Sequence, residues 1–216
     1  MQRRLIATCP SYSLPWVPPN ATTPAGSEPL TLAVNLSNRQ LSHDPDLIMD
    51  TSKTIARHGV PAGQLCLEVT ETAVHEASLG ARSALAAFSA AGIKIALDDY
   101  GTGYSSLGHL RDIPVDALKI DRVFVDGLTR NRGDDAIVVA VITLAHALGM
   151  HVIAEGVGSP RQRERLRELG CDFAQGHLYS EALSAEEFGR LIQRAAAGGA
   201  AGTEAEASAS VAGFRG

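Results

Sequence analysis

Carboxylate and amide side chains follow one short apolar segment after another in this chain. The clearest case is the pair Asp98 and Asp99, which directly follows the apolar run 93–97. Oxygen ligands of this kind, with no histidine or cysteine among them, suit hard divalent cations such as Mg²⁺, Mn²⁺ or Ca²⁺ better than zinc. Two such cations can activate water against a phosphodiester bond and stabilise both the attacking and the leaving oxygen. The polar residues in question are Asn35, Glu68, Asp98, Asp99, Lys119, Asp121, Glu155 and Gln175.

The charge balance of this set also indicates metal binding. Carboxylates held close together raise one another's pKa values, so positive charge is needed among them. Lys119 supplies one such charge, and divalent cations would supply the remainder. Taken singly, each residue has a simpler interpretation, since an aspartate after a strand is often a helix cap or turn former and Lys119 alone would be a solvated lysine. The recurrence of polar residues at the ends of six predicted strands favours the ligand role.

Six apolar segments are predicted to be the strands that position these side chains. They alternate with helical patterns, which indicates βαβ units and a parallel sheet, either doubly wound or closed as a barrel. In both architectures, binding and catalytic groups gather at the carboxyl ends of the strands. The predicted strands are 30–34, 65–69, 93–97, 117–120, 151–154 and 172–174. The predicted helices are 44–58, 134–148, one that begins at Ser159-Pro160 and ends before Gly170, and one with a capping box of Ser184 and Glu187.

The organised part of the chain is predicted to be 29–197. Residues 1–28 are rich in proline, serine and threonine without a sustained period, which indicates an irregular leader. Residues 198–216 contain too few large apolar side chains to pack, which indicates a disordered tail.

The composition argues against several other classes of function. A formal net charge of -5 provides no basic surface for a nucleic-acid polymer. No apolar run is long enough to span a bilayer. The three cysteines are an odd number at wide spacing, which is typical of reduced thiols in the cytoplasm. The chain also lacks a nucleophile elbow, a Walker loop and the dinucleotide-binding glycine pattern.

Several longer motifs occur in a fixed order along the chain. They are VNLS at 34–37, LEVTET at 67–72, LDDYGTGYSSL at 97–107, DALKIDRVFV at 116–125, IAEGV at 153–157 and CDFAQGHLYS at 171–180. In order and spacing they resemble the EAL family of bacterial cyclic di-GMP phosphodiesterases, from about residue 30 to residue 196. The resemblance implies a TIM-like (β/α)8 barrel that hydrolyses cyclic di-GMP to linear pGpG with two Mg²⁺ or Mn²⁺ ions.

The resemblance also implies a role for each polar residue of the site. Lys119 would hold the nucleophilic water, and Asp121 would be an acidic partner near the metals. Glu155 would be both a ligand and a candidate base, and Gln175 would support the ligands. The implied metal ligands are Asn35, Glu68, Asp98, Asp99 and Glu155.

Glu71 is predicted to anchor a neighbouring loop. From the alternation of a strand, its side chain would face away from that of Glu68, which argues against a ligand role. In the family that this chain resembles, the corresponding glutamate tethers the loop 101–107, a loop that is also used in homodimer formation. The loop residues singled out by the resemblance are Gly101, Thr102 and Gly103.

The chain departs from the family in its first part. The Glu-Ala-Leu strand that names the family, and whose glutamate is a metal ligand, has no counterpart before Asn35. The triplet Glu181-Ala182-Leu183 follows the last predicted strand and is not that strand. About six of the eight strands are visible, so we expect an incomplete barrel with weakened metal binding, from a truncated or mis-started reading frame.

Two roles stay open at this stage. One is metal-dependent hydrolysis of cyclic di-GMP, favoured by Lys119, Asp98, Asp99 and Glu155. The other is a non-catalytic role as a cyclic di-GMP receptor or protein-interaction domain, favoured by the incomplete ligand set. The residues by themselves would also allow a different divalent-metal barrel enzyme.

Overall fold

The computed structural model describes residues 6–9, 31–44, 46–75, 79–101, 110–184, 186–190 and 211–213. In these residues eight strands form one sheet, in the order of the chain. The strands are β1 (Ile6–Cys9), β2 (Thr31–Asn35), β3 (Leu65–Thr70), β4 (Lys94–Tyr100), β5 (Ala117–Ile120), β6 (His151–Ala154), β7 (Phe173–Gln175) and β8 (Val211–Gly213). The helices are α1 (Asn38–His43), α2 (Leu47–Arg57), α3 (Glu71–His75), α4 (Leu79–Ala90), α5 (Arg122–Gly127), α6 (Arg132–Ala147) and α7 (Pro160–Glu168), with a 3₁₀ turn at Ala62–Gln64. Residues 186–190 are helical as well.

The strand order indicates a barrel rather than a doubly wound sheet. Each strand from β1 to β6 pairs in parallel with the next strand along the chain. A doubly wound sheet reverses its strand order at a switch point, and this sheet does not. Among the described strands, β1 and β8 are not neighbours, so the barrel is incomplete, as predicted.

The six predicted strands are present as β2 to β7. The largest difference is in β4, which continues through Asp98 and Asp99 to Tyr100 instead of ending at Leu97. Its register against β5 shifts between Leu97 and Tyr100, and Asp99 has a φ of 57°, a left-handed conformation that aspartate tolerates better than most residues. The two aspartates therefore belong to an irregular strand end.

The predicted helices are present with shifted ends. α2 begins at Leu47 because Asp44 ends the separate helix α1, which was not predicted. α7 has Ser159 as its N-cap. Ser184 N donates to the Glu187 carboxylate, and Glu187 N donates to Ser184 Oγ, which confirms the predicted capping box. Within the described ranges, no helix combines the length and the apolar character needed to cross a bilayer.

Two apolar clusters form the core. The larger one includes Phe88 of α4, Val141 of α6 and Leu166 of α7, which pack with strand residues such as Leu118. A separate, smaller cluster takes one residue from each of the strands β2 to β7. Because alternate residues of a strand point to opposite faces, the smaller cluster lies on the face of the sheet away from the helices. Its members are Ala33, Cys66, Ala96, Ala117, Ile153 and Phe173.

Both flanking segments contain a short strand where the sequence predicted none. Ile6–Cys9 lies in the predicted leader 1–28 and pairs in parallel with β2. Val211–Gly213 lies in the predicted tail 198–216 and pairs antiparallel with β7. These pairings satisfy backbone groups that would otherwise be exposed at the sheet edges, a driving force that local composition does not report. The rest of both segments lies outside the described residues.

Candidate functional site

Six of the predicted site residues form a layer next to the small apolar cluster, at the carboxyl ends of the strands. Each residue of that cluster is followed, two positions later, by a polar residue of the predicted site. Since side chains alternate along a strand, both residues of each pair lie on the same face of the sheet. The pairs are Ala33 and Asn35, Cys66 and Glu68, Ala96 and Asp98, Ala117 and Lys119, Ile153 and Glu155, and Phe173 and Gln175.

Lys119 lies at the centre of this layer. Its ammonium nitrogen Nζ is 2.9 Å from Glu68 Oε1, 3.0 Å from Asp98 Oδ1 and 2.6 Å from Glu155 Oε1. The side chains of Lys119 and Glu68 are each only 2% exposed. The structure thus brings together three predicted carboxylates around one buried cation.

Burial and charge shift the acid–base properties of these groups. Burial raises the pKa of the Glu68 and Glu155 carboxyl groups; Lys119 opposes this shift and the charge of Asp98 adds to it. Burial acts to lower the pKa of Lys119, but the three carboxylates outweigh it and hold that pKa above its ordinary value. Lys119 is therefore a stable cation and hydrogen-bond donor rather than a base.

Gln175 orients Glu155. The Gln175 side chain donates from Nε2 to Glu155 Oε1 at 2.6 Å, the same oxygen that faces Lys119. The Glu155 backbone N–H donates to the carbonyl of Ile120 at the end of β5, at 3.1 Å. The end of β6 is thus held to β5 by its backbone and to β7 by its side chain.

Asp99 lies beside Asp121. Burial raises the pKa of the Asp99 carboxyl, and Asp98 and Asp121 raise it further. Asp121 also has a local structural role, because its Oδ1 accepts a hydrogen bond from Val123 N at 2.6 Å and caps α5. Asp99 and Asp121 therefore form a second acidic pair beside the three carboxylates around Lys119.

Asn35 lies at the same edge of the sheet as Glu68. The two residues are register partners between β2 and β3, and the Asn35 side chain is exposed. The backbone N–H of Leu36, the next residue, donates to the Glu68 carbonyl at 2.8 Å.

Glu71 contacts the first residue of the predicted loop. Its Oε2 accepts a hydrogen bond from Gly101 N at 3.2 Å. The prediction that Glu71 continues the alternation of a strand is wrong, because β3 ends at Thr70 and Glu71 begins α3. Thr70 Oγ1 accepts from Ala73 N at 3.3 Å and starts the helical turn. Thr102, Gly103 and the rest of the loop up to 109 lie outside the described residues.

The site has donors that suit a hard cation. Glu68 Oε2 is buried and has no hydrogen-bond partner among the described residues, which is costly for a carboxylate oxygen unless a cation satisfies it. The described part of the chain contains no preformed group of three His, Cys, Asp or Glu ligands. Instead, the Lys119 ammonium group lies where the carboxylates meet.

Gln162 is a buried polar residue near the site that the sequence did not single out. The predicted helix between Ser159 and Gly170 was given no buried polar residue, yet Gln162 is buried. The spacing of Ser159 and Gln162, which is that of a capping box, was the available signal. The triplet Glu181-Ala182-Leu183 is exposed and follows β7 without regular structure.

A family model for the EAL domain matches residues 21–182. The chain belongs to the EAL domain family. The match begins before residue 30 and ends before residue 196, the bounds expected from the motifs. The boundaries of the EAL domain at 29 and 197 stay predictions.

Among the curated relatives of this EAL chain, MucR and RocR have names that refer to cyclic di-GMP. It is 39% identical over 156 residues to MucR of Pseudomonas aeruginosa, named a bifunctional diguanylate cyclase/cyclic di-GMP phosphodiesterase. It is 35% identical over 161 residues to RocR of the same organism, named a cyclic di-GMP phosphodiesterase. These matches cover 72% and 74% of this chain but 23% of MucR and 41% of RocR. The chain thus spans less than half the length of either relative.

Solved EAL structures have the same fold. The EAL domain of Mycobacterium smegmatis DcpA is 40% identical, with a TM-score of 0.72 over 76% of this chain and 74% of that one. The MucR phosphodiesterase in complex with cyclic di-GMP is 38% identical, with a TM-score of 0.70 over 74% of this chain and 64% of that one. Klebsiella pneumoniae BlrP1 with manganese and cyclic di-GMP is 34% identical, with a TM-score of 0.67 over 71% and 39%. The predicted barrel fold is confirmed.

Proposed function

We propose that this chain is a metal-dependent phosphodiesterase domain that hydrolyses one phosphodiester bond of cyclic di-GMP and releases linear pGpG. The observation that carries the proposal is the buried Lys119 ammonium group, which contacts Glu68, Asp98 and Glu155 at the carboxyl edge of the sheet. The names of MucR and RocR and the cyclic di-GMP complex of MucR support this substrate.

We expect the reaction to need Mg²⁺ or Mn²⁺, because the available donors are carboxylate and amide oxygens. The unpartnered oxygen of Glu68 and the manganese complex of BlrP1 support this requirement. When bound, two divalent cations activate water and stabilise charge on the attacking and leaving oxygens. The proposed ligands are Asn35, Glu68, Asp98, Asp99 and Glu155.

Lys119 and Glu155 have complementary tasks in this proposal. Lys119 stays protonated because its pKa is raised, so it can hold the attacking water or a phosphate oxygen by donating a hydrogen bond. Glu155 is the candidate base, because burial raises its pKa and makes its carboxylate a stronger proton acceptor. The water oxygen bonds to phosphorus and Glu155 takes a water proton. The bond from phosphorus to the ribose 3′ oxygen breaks, and that oxygen gains a proton from solvent.

Three further residues would support the site without touching the reacting bond. Gln175 would keep the Glu155 carboxylate in place through its hydrogen bond. Asp121 would fix the start of α5 next to Asp99. Glu71 would tether the loop 101–107 through Gly101, and dimer formation through that loop stays a proposal.

We also propose a cytoplasmic location. Cys66 and Cys171 are free thiols in the described structure, and both are buried. Free thiols are typical of proteins in a reducing compartment.

The test is to incubate the full chain with cyclic di-GMP and Mn²⁺ and to quantify pGpG by chromatography. Lys119→Met should reduce the rate by about 100-fold or more, because one buried charged donor is lost. Lys94→Met is the matched control, since Lys94 lies at the other end of β4 and pairs with Asp116 at 2.6 Å. Product formation by Lys119→Met at the wild-type rate would overturn the proposal.

A non-catalytic cyclic di-GMP receptor is the second candidate. One observation favours it: the Lys119 ammonium group lies where the carboxylates meet, and the described residues contain no preformed group of three His, Cys, Asp or Glu ligands. Calorimetric titration with cyclic di-GMP in the presence of a chelator separates the two roles. Binding without metal and without pGpG formation supports the receptor, whereas hydrolysis that requires Mn²⁺ supports the enzyme.

A further inference from the structure

Gln162 joins three elements through one buried amide. It is the third residue of α7 and is 8% exposed. Its Oε1 accepts hydrogen bonds from Gly158 N and from Ser159 Oγ, both at 3.0 Å. Its Nε2 donates to the carbonyl of Val125 in α5, also at 3.0 Å. The side chain therefore connects the start of α7, the loop after β6 and the last turn of α5.

The loop connected in this way directly follows Glu155. Gly156 has a φ of 69°, and the side chain of Arg122 in α5 lies so close that a Cβ atom at Gly156 would be 2.3 Å from Arg122 Cγ. Val157 N donates to the carbonyl of Gln175 at 2.9 Å. The successive loop residues Gly156, Val157 and Gly158 thus contact α5, β7 and Gln162, respectively. The backbone that follows Glu155 is therefore held by three separate contacts.

We propose that Gln162 is a positioning residue for Glu155, an inference that rests on the proposed function of Glu155. Glu155 Oε1 contacts Lys119 Nζ and Gln175 Nε2, both at 2.6 Å. Contacts this short are directional, so a small displacement of the backbone after Glu155 weakens both of them. The strand β6 fixes the backbone before Glu155, and the loop fixes the backbone after it.

The link from Gln162 to α5 explains why the loop position matters for Lys119. α5 follows β5, the strand that carries Lys119, and its N-cap Asp121 is two residues after Lys119. By bonding to Val125 O, Gln162 holds the loop after β6 against the helix that follows β5. The strand ends that carry Lys119 and Glu155 are therefore connected through the hydrogen bond from Gln162 to Val125 as well as through the pairing of β5 and β6. Groups that orient ligands in this way affect affinity and rate without touching the substrate.

The alternative is that Gln162 only stabilises α7. Two variants of the full chain separate these roles. Gln162→Leu removes all three hydrogen bonds of the side chain while keeping a side chain of similar volume. Gln162→Glu keeps the acceptor oxygens but loses the N–H group that donates to Val125 O. The control is Arg165→Leu, because Arg165 joins α7 to Asp135 of α6 at 2.6 Å and does not reach the loop.

The first measurement is NMR-detected hydrogen exchange of single amides, which needs no catalytic activity. In Gln162→Leu we expect the amides of Gly158, Val157 and Glu155 to exchange about 10- to 100-fold faster, and in Arg165→Leu we expect no change there. Unchanged exchange at Glu155 in a folded Gln162→Leu protein would overturn the positioning role. This result is independent of whether the wild-type chain hydrolyses cyclic di-GMP, so failure of the proposed function would be recognised separately.

The second measurement is the affinity for Mn²⁺ and the steady-state kinetics with cyclic di-GMP. Both Gln162 variants should lose about 10- to 100-fold in Mn²⁺ affinity or kcat, with little change in KM, whereas Arg165→Leu should match the wild type. If Gln162→Glu behaves like the wild type, the link to Val125 has no role and the proposal is wrong. If Arg165→Leu loses as much as Gln162→Leu, the effect is general destabilisation and the proposal is also wrong.

Discussion

Lys119 Nζ and Glu68 Oε1 lie 2.9 Å apart, and both side chains are almost completely buried. Asp98 and Glu155 contact the same ammonium group, so one positive charge faces three carboxylates. A buried ion pair is favourable only when its charges are balanced and its oxygens are satisfied. The stability of the fold should therefore depend on the number of positive charges at this point.

Lys119→Met should lower the free energy of unfolding by about 3–5 kcal/mol in metal-free buffer, because it leaves buried carboxylates without their cation. Urea unfolding followed by circular dichroism measures this loss. Adding Mn²⁺ should recover part of it, since a cation that binds only the folded state stabilises that state. Lys94→Met removes a half-exposed pair and should cost no more than about 1 kcal/mol. Equal losses in the two variants would contradict the prediction.

Asp172 should make stability depend on pH in acid. Its Oδ2 accepts from Val152 N and contacts His146 Nε2, both at 2.9 Å. Burial acts to raise the pKa of Asp172, but His151, whose Nδ1 lies 3.7 Å from Asp172 Oδ1, together with the hydrogen bonds to His146 and Val152 N outweighs it and lowers the pKa from 3.8 to about 2. Because the folded-state pKa is below the unfolded one, the stabilisation is present above about pH 4 and is lost as the pH falls towards about 2.

Asp172→Asn should therefore be less stable than the wild type by about 1–2 kcal/mol at pH 6, and the difference should shrink to near zero around pH 2. Urea midpoints measured between these two pH values check the expectation. Asp112→Asn is the control, because Asp112 is exposed and lies 3.7 Å from Arg111. A constant difference across the whole range would show that Asp172 is not the titrating group.

Asp116 should contribute more through a backbone hydrogen bond than through its ion pair. Its Oδ2 accepts from Ile95 N at 3.0 Å, and its Oδ1 faces Lys94 Nζ at 2.6 Å. Asp116→Ala should cost about 1–3 kcal/mol, because it leaves a partly buried N–H without an acceptor. Asp116→Asn keeps an acceptor oxygen and should retain most of the stability. If Lys94→Met is as destabilising as Asp116→Ala, the ion pair is the main contribution after all.

Gly176 should tolerate a side chain less well than Gly156. A Cβ atom at Gly176 would lie 2.3 Å from Val157 N and 2.4 Å from Val157 O, which are backbone atoms that cannot rotate away. At Gly156 the nearest atoms are Cγ, Cβ and Cδ of Arg122, of which Cγ and Cδ can rotate away while Cβ, at 2.8 Å, is held by its backbone. We expect Gly176→Ala to cost about 3 kcal/mol or more and Gly156→Ala to cost less.

A double-mutant cycle tests the reason for that difference. Arg122→Ala should recover part of the stability lost in Gly156→Ala, because the two positions are in contact, and none of the stability lost in Gly176→Ala. Thermal unfolding of the single and double variants gives the coupling. Rescue of both glycine variants, or of neither, would count against this explanation.

The fold class and most of the candidate site were accessible from local patterns. The strands from β2 to β7 were predicted because short apolar runs are flanked by turn and cap residues. The site residues Lys119 and Asp98 each follow an apolar residue, Ala117 and Ala96, by two positions, and this alternation is visible in the sequence. The capping box of Ser184 and Glu187 was predicted for the same reason, since all of its atoms come from one turn. The direction of the Glu71 side chain was predicted by continuing the strand alternation past residue 69, because the apolar pattern does not report that the Thr70 hydroxyl starts a helical turn.

Residue types and their spacing are sufficient to predict which side chains stand at the carboxyl ends of the parallel strands and which family the motifs resemble. These properties depend on residue type and on spacing along the chain, which are local. Three other features depend on how distant parts of the chain pack. Lys119 contacts Glu68, Asp98 and Glu155, Asp99 lies beside Asp121, and β1 and β8 pair with the sheet edges. The physical reason is that distances between strands are set by register, curvature and burial, and these are decided by the packing of the whole chain. The role of Gln162 also depends on the packing of the whole chain, because its partners are residues of α5 and of the loop after β6.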